Sequence, residues 1–205
     1  MNTFISLQSY IEKEIIPLYT TFDKAHQTEH VRNVIEESLK LAKYYPVNTT
    51  MVYTIAAFHD IGLCQGREYH HIVSGEMIRN NQTLRQWFNE EQITIMAEAV
   101  EDHRASNKHI PRSIYGKIVA EADRLISPHS ILLRTIQYGL SHYPKLKKEE
   151  QYLRFCEHLQ EKYAEGGYLK LWIPESENAK QLEELRKIIK DKEQLRKTFD
   201  LLFNG

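Results

Sequence analysis

Four residues of this chain, His30, the adjacent pair His59–Asp60, and Asp123, have side chains suited to binding a borderline-to-hard divalent cation. They stand in segments reading AHQTEHVRNV, AAFHDIGLC and VAEADRL, each apolar at helical spacing. A cation held by them would bring the pKa of a bound water toward neutrality and polarise a phosphoryl oxygen. The chemistry this points to is metal-dependent hydrolysis of a phosphate compound. Neighbours on an ideal helix point about 100° apart, so His59 and Asp60 reach one cation only where a helix ends. Gly62 is expected to supply that end as a left-handed C-cap. Asp123 lies in a strongly apolar stretch, Ile118 to Ile126, where a carboxylate needs a partner. Arg124 or Arg134 in an ion pair would serve, and so would a cation. Taken singly, each of the four has an ordinary structural explanation.

A second feature suits phosphate. Arg104, Lys108, His109 and Arg112 cluster within nine residues, in a chain whose formal net charge is -1. Arginine offers phosphate oxygens a planar fork and lysine a mobile point charge; Arg67 is a weaker candidate of the same type. His26 lies one turn before His30 and can share its face, lining a pocket. The aromatic segment Tyr168-Leu-Lys-Leu-Trp172 would either cover a bound base or pack in the core.

The elements that must position these residues are helical almost throughout, with few alternating patterns of strand type. The periodicity predicts helices near 3–21, 29–45, 49–61, 69–80, 82–88, 90–104, 113–126, 128–142, 147–165 and 175–203. Pro46 ends one by pushing Tyr45 out of the helical region, Ser113 is placed to cap another, and Gly166–Gly167 stops a third. The expectation is an all-α bundle, with a helical core over residues 1–145 and a helical C-terminal extension over 146–205 packed on it as one structural domain. The final stripe, Leu182, Leu185, Ile189, Phe199 and Leu202, is broken near Lys192 and suits either packing within the chain or a homodimer contact. Two separated cysteines, Cys64 and Cys156, make no disulfide framework, which fits a reducing, cytoplasmic setting. No apolar run approaches the roughly 20 residues that span a bilayer. The near-zero net charge gives no field to gather nucleic-acid polymers, though small phosphorylated molecules remain suitable partners.

Together the residues give the order His, His-Asp, Asp at separations of 29, 1 and 63. His26-x-x-x-His30-Val-Arg-Asn-Val34, Ala57-Phe-His-Asp-Ile-Gly62 and Ala120-Glu-Ala-Asp-Arg-Leu125 resemble the three metal-binding segments of the HD-domain metal-dependent phosphohydrolase superfamily. The likeness covers roughly residues 20–135. It implies an HD-type helical bundle presenting His30, His59, Asp60 and Asp123 to one or two divalent ions, such as Mn, Mg, Fe, Co or Ni. The superfamily often has a further His where His103 stands, and His71 begins a segment similar to one that supplies a ligand in dinuclear members. The resemblance thus implies a possible second ion at His71 and His103, bridged through Asp60. Asp60 would also orient or deprotonate water, with His103 aiding at the phosphoryl group. Arg104, Lys108, Arg112 and His26 would line the substrate, most simply a nucleotide, as monoester, diester or pyrophosphate. A metal-containing nucleotide sensor without turnover and a di-iron oxygenase are the competing expectations; a metal-free helical interaction protein is the plainest one. After the last Asp the chain reads Ser127-Pro-His-Ser-Ile131 rather than the Gly/Ala-rich stretch of many nucleotide-hydrolysing members, so the substrate, which pocket walls outside the metal site set, does not follow from the resemblance.

Overall fold

Met51–Phe58 carries no charged residue, and each of its side chains is buried. A helix that is apolar on all sides has to be surrounded, and this one is the centre of the fold. The computed structural model describes residues 3–22, 28–107 and 109–204. Among them there are helices and no strands, so the protein is all-α.

Helix α1 (Thr3–Tyr10) runs into a π turn (Ile11–Ile15) and a 3₁₀ stretch (Ile16–Thr21). The single helix expected over 3–21 therefore changes pitch. Pro17 has no N–H for a regular ladder and stands where the 3₁₀ stretch begins. Then follow α2 (Thr28–Ala42), α3 (Thr49–Phe58), a 3₁₀ turn (Ile61–Gln65), α4 (His70–Asn80), α5 (Glu90–Asp102) and α6 (Ile114–Arg124). Asn48 caps α3, its Oδ1 accepting from Thr50 N at 2.9 Å and Met51 N at 3.3 Å. Asn89 and Gln92 form a reciprocal capping box at α5. The Ser113 hydroxyl accepts from Gly116 N, the expected cap of α6. That helix stops at Arg124 because Leu125 takes φ 33°, a left-handed conformation uncommon for a side chain of this size.

The chain divides into two compact units. In the first, Met1–Arg124 with Trp172–Glu175, α3 is flanked by α2, α5 and α6, and α4 packs on α5. The short Trp172–Glu175 segment is tied in by backbone: Trp172 N and Ile173 N donate to Glu121 Oε2 at 2.7 and 3.4 Å. The Tyr45 hydroxyl donates to Glu175 at 2.6 Å, and the Trp172 ring packs on the core of this unit. Of its two sequence readings, core packing is the one this residue takes.

The second unit, Leu125–Leu171 with Ser176–Gly205, holds α7 (Pro128–His142), α8 (Lys148–Lys162), α9 (Asn178–Lys190) and α10 (Lys192–Asn204). The helix expected over 175–203 is two helices. Asp191 adopts ψ 95° and caps the second with its Oδ1 on Gln194 N at 2.9 Å. Leu182, Leu185, Ile189 and Phe199 are buried among these four helices, with Phe155 and Phe199 in ring contact. Among the described residues no helix is long and apolar enough to cross a membrane.

Candidate metal centre

His59 and Asp60 follow the last residue of α3, where the chain turns. His59 Nδ1 donates to Ala56 O at 2.8 Å, folding the ring back on the preceding turn. His103, at the end of α5, does the same to Val100 O at 2.6 Å. His70, the first residue of α4, does it to Arg67 O at 2.8 Å. A carbonyl only accepts, so all three Nδ1 atoms carry the proton and, in the neutral rings, all three Nε2 atoms present lone pairs. The three lone pairs converge on one buried carboxylate, Asp60.

Its two oxygens face different groups. Asp60 Oδ2 lies 3.3 Å from His59 Nε2 and 3.7 Å from His30 Nε2. Asp123 Oδ1 joins that side, 3.2 Å from His30 Nε2 and 3.7 Å from His59 Nε2. Asp60 Oδ1 lies 3.2 Å from His70 Nε2 and 3.4 Å from His103 Nε2. The ring nitrogens also meet in pairs, His30 with His59 at 3.3 Å and His70 with His103 at 3.4 Å.

Lone pair against lone pair at such separations is repulsive unless positive charge lies between. Donors about 2.1 Å from a shared cation stand about 3.0–3.4 Å apart at octahedral to tetrahedral angles, which these separations match or slightly exceed. The donor set therefore fits a divalent ion on each side of Asp60. On one side are His30, His59, Asp60 and Asp123; on the other are Asp60, His70 and His103. The charge balance agrees. Burial works to raise Asp60, yet the surrounding histidines, His59 first, hold it well below the usual carboxylate range. Burial likewise opposes ionisation of Asp123, and His30, His59 and His103 hold it low. His30 and His59 move the other way: burial lowers them, but Asp123 and Asp60 leave both raised. The two carboxylates are thus held ionised, and beside them the two imidazoles are drawn toward their cationic form.

Helix ends bring these groups together. α3, α5 and α6 arrive by their C-termini, with His59–Asp60, His103 and Asp123; α2 and α4 arrive by their N-termini, with His30 and His70. Each end contributes about 0.3–1 kcal/mol to a nearby charge and the two kinds largely offset, so the carboxylates decide the sign of the field. Gly62 permits the approach of α4. Gly62 is not among the left-handed residues, so the C-cap expected there is corrected. Its role is proximity: a Cβ there would collide with His70 O and lie 2.7 Å from Ser74 N. Its N–H donates to Ser74 Oγ at 2.8 Å.

The remaining expected residues fall as follows. The structure brings His70, rather than His71, to Asp60, because α4 begins at His70 and the next residue is about 100° further round. His71 stacks edge-on against His70. Burial, then the neighbouring His103, His70 and Arg104, push its imidazole down to about 4. Arg104 donates through Nη1 to Glu68 O at 2.7 Å, joining the loops that precede α4 and follow α5. Arg112 faces acids: its backbone N and guanidinium bind the buried Asp102 carboxylate, and Nη2 also reaches Glu101 at 2.7 Å. His109 is exposed, 3.8 Å from Asp102. His26 and Lys108 lie outside the described residues.

Besides His70, two features were not found by sequence reading. Asp102 gave no signal beyond its place before His103. Tyr19, fully buried, sends its hydroxyl to the backbone of the His59–Asp60 turn.

Fold and site together define an all-α protein whose helix ends present a His/Asp set able to hold divalent metal. A family model described as "HD domain" matches residues 28–127. All six converging residues lie inside that segment. Among solved structures, the chain is similar to a predicted HD superfamily hydrolase from an uncultured Thermotogales bacterium. The two are 20% identical with a TM-score of 0.53, over 78% of this chain and 94% of that one, a likeness of fold. No curated protein sequence matches the chain.

Proposed function

We propose that the protein is a metal-dependent phosphohydrolase acting on a small phosphorylated molecule, a nucleotide first among them. The observation that carries this reading is the convergence of three Nδ1-tethered histidines and His30 on the two oxygens of Asp60, with Asp123 closing one side. The match of residues 28–127 to the HD domain model and the fold shared with a predicted HD hydrolase support hydrolysis as the reaction class. A divalent ion at this centre supplies Lewis acidity toward a phosphoryl oxygen and water made acidic enough to attack near neutral pH.

The protein's residues do the rest. Asp60, kept ionised, turns one oxygen to each side and orients the attacking water toward phosphorus. His30 and Asp123 form the more open wall, with side-chain exposures of 17% and 24% against 0% for His59, and substrate enters past them. His103, deeply buried beside Asp60 Oδ1, would hold a second cation with Asp60 and His70 rather than touch substrate. Arg104, fixed by the Glu68 carbonyl, is the guanidinium assigned to phosphoryl oxygens. Arg112, engaged with Asp102 and Glu101, is a brace for the loop after α5.

The test is elemental analysis of freshly purified protein, followed by phosphate-release assays across nucleotides with Mn, Mg, Fe, Co or Ni restored. His59→Ala and Asp60→Ala are expected to lose both metal and turnover. An undiminished rate in either, on metal-replete protein, would sink the reading.

One observation favours a second reading. Both histidines that a di-iron oxygenase requires are present at Asp60 Oδ1, as His70 and His103. Two irons per chain with oxygen consumption, and no phosphate release, would select it.

A further inference from the structure

The HD turn must present His59 and Asp60 to cations on opposite sides of one carboxylate, and it does so after α3 has ended. In a continuing helix, Asp60 N–H would bond to Ala56 O and Ala57 O would receive the next N–H but three. Ala56 O is taken by His59 Nδ1 at 2.8 Å, and Asp60, at φ −113° and ψ 5°, turns the chain off the helical path. A side chain from a different element meets both needs. Asp60 N–H donates to Tyr19 Oη at 3.2 Å, and the Tyr19 hydroxyl donates to Ala57 O at 3.0 Å.

Tyr19 reaches the turn from the 3₁₀ stretch, forty-one residues away in sequence, and has no exposed surface. Its ring stands edge-on to Phe22 and against the His59 ring, with centroids 6.2 Å apart. One hydroxyl thus ties the peptide before Phe58 to the peptide after His59, while the ring lies against the His59 imidazole. With its proton on Ala57 O and its lone pair on Asp60 N–H, it touches neither substrate nor ion.

We infer that Tyr19 is a positioning residue of the metal centre, and that its hydroxyl sets the orientation of His59 and Asp60 and hence the affinity and geometry of the bound ions. This rests on the proposed metal-dependent reading. Groups that orient metal ligands typically change affinity by about 10–100-fold when removed, and a loss of that size is expected for Tyr19→Phe, which keeps the ring and deletes only the hydroxyl.

The experiment is a Co²⁺ titration of the full chain, following d–d absorption, on wild type, Tyr19→Phe and Ile16→Val. Ile16 is a buried neighbour in the same 3₁₀ stretch, so its variant reports loss of packing alone. Weaker Co²⁺ binding with an altered d–d spectrum in Tyr19→Phe, against wild-type values in Ile16→Val, supports the inference. Wild-type affinity and spectrum in Tyr19→Phe overturn it, whatever happens to thermal stability. Absence of binding by wild type removes the metal reading itself, which keeps the two failures distinct. Should Tyr19→Phe not fold, 3-fluorotyrosine placed at position 19 gives a ¹⁹F resonance. A shift of that resonance on adding Zn²⁺ supports the inference, and an unmoved line overturns it.

Discussion

His59, His70 and His103 each donate Nδ1–H to the carbonyl three residues earlier. This shared arrangement turns three lone pairs toward Asp60, where each side chain could meet a cation. His70→Ala is therefore expected to lose about one of two ions while His71→Ala keeps both, read as metal per chain after dialysis. The reverse result would return His71 to the site. Asp60→Asn preserves shape but removes the bridging charge. A metal at 100 times its dissociation constant stabilises a folded protein by about 2.7 kcal/mol; in Asp60→Asn that metal-dependent rise in melting temperature should vanish. At this scale the sequence was informative about types and less so about neighbours. The His, His-Asp, Asp order stands out because its residue types are costly to place in apolar segments without a purpose. The choice between His70 and His71 depends on where α4 starts, and periodicity fixes helix ends only loosely.

The helices act by where they end. α4 can bring His70 to the centre only because Gly62 has no side chain. Gly62→Ala is expected to destabilise the protein by about 1–3 kcal/mol and to lower occupancy of the His70–His103 side more than that of the His30–Asp123 side. A shift in urea midpoint together with metal content would check both. The loop after α5 depends on Arg112. Removing it leaves the buried Asp102 carboxylate without its guanidinium, and since Arg112 is itself 41% exposed, water repairs part of the loss. A cost of about 2 kcal/mol is expected for Arg112→Ala by chemical denaturation, with metal retained. An unchanged midpoint would contradict the bracing role. Most helices were legible because apolar spacing and caps such as Asn48, Asn89 and Ser113 are local signals. Gly62 was read as a cap because a close approach from α4 is non-local. The π and 3₁₀ pitch of Ile11–Thr21, which carries Tyr19 to its target, likewise follows from tertiary packing around Pro17 and left no periodic trace.

At the scale of the whole molecule, the chain divides into two compact units. The first holds every converging ligand. The second buries the stripe Leu182, Leu185, Ile189 and Phe199 within itself, so those side chains are occupied in the chain. Its amphipathic pattern was visible in sequence; what it faced was not, since a buried stripe and a dimer stripe read alike. This unit also has a pH signature. Burial, then Lys162 and Arg154, lower the His158 pKa. The unfolded chain, near 6.5, takes up that proton first, so the folded state loses stability as pH falls below about 6.5 until His158 also protonates. His158→Gln should abolish this contribution, and the stability of wild type relative to the variant should fall from pH 8 to pH 5.5; a constant difference would contradict it. The central claim concerns the other unit, and the most direct measurement is an anomalous-difference map from crystals of the full chain grown with Mn²⁺. The account predicts density within about 2.5 Å of Asp60 Oδ2 and His59 Nε2, with a second feature beside Asp60 Oδ1, His70 and His103. A map with no anomalous density at Asp60, in crystals that bind Mn²⁺ elsewhere or not at all, would contradict it.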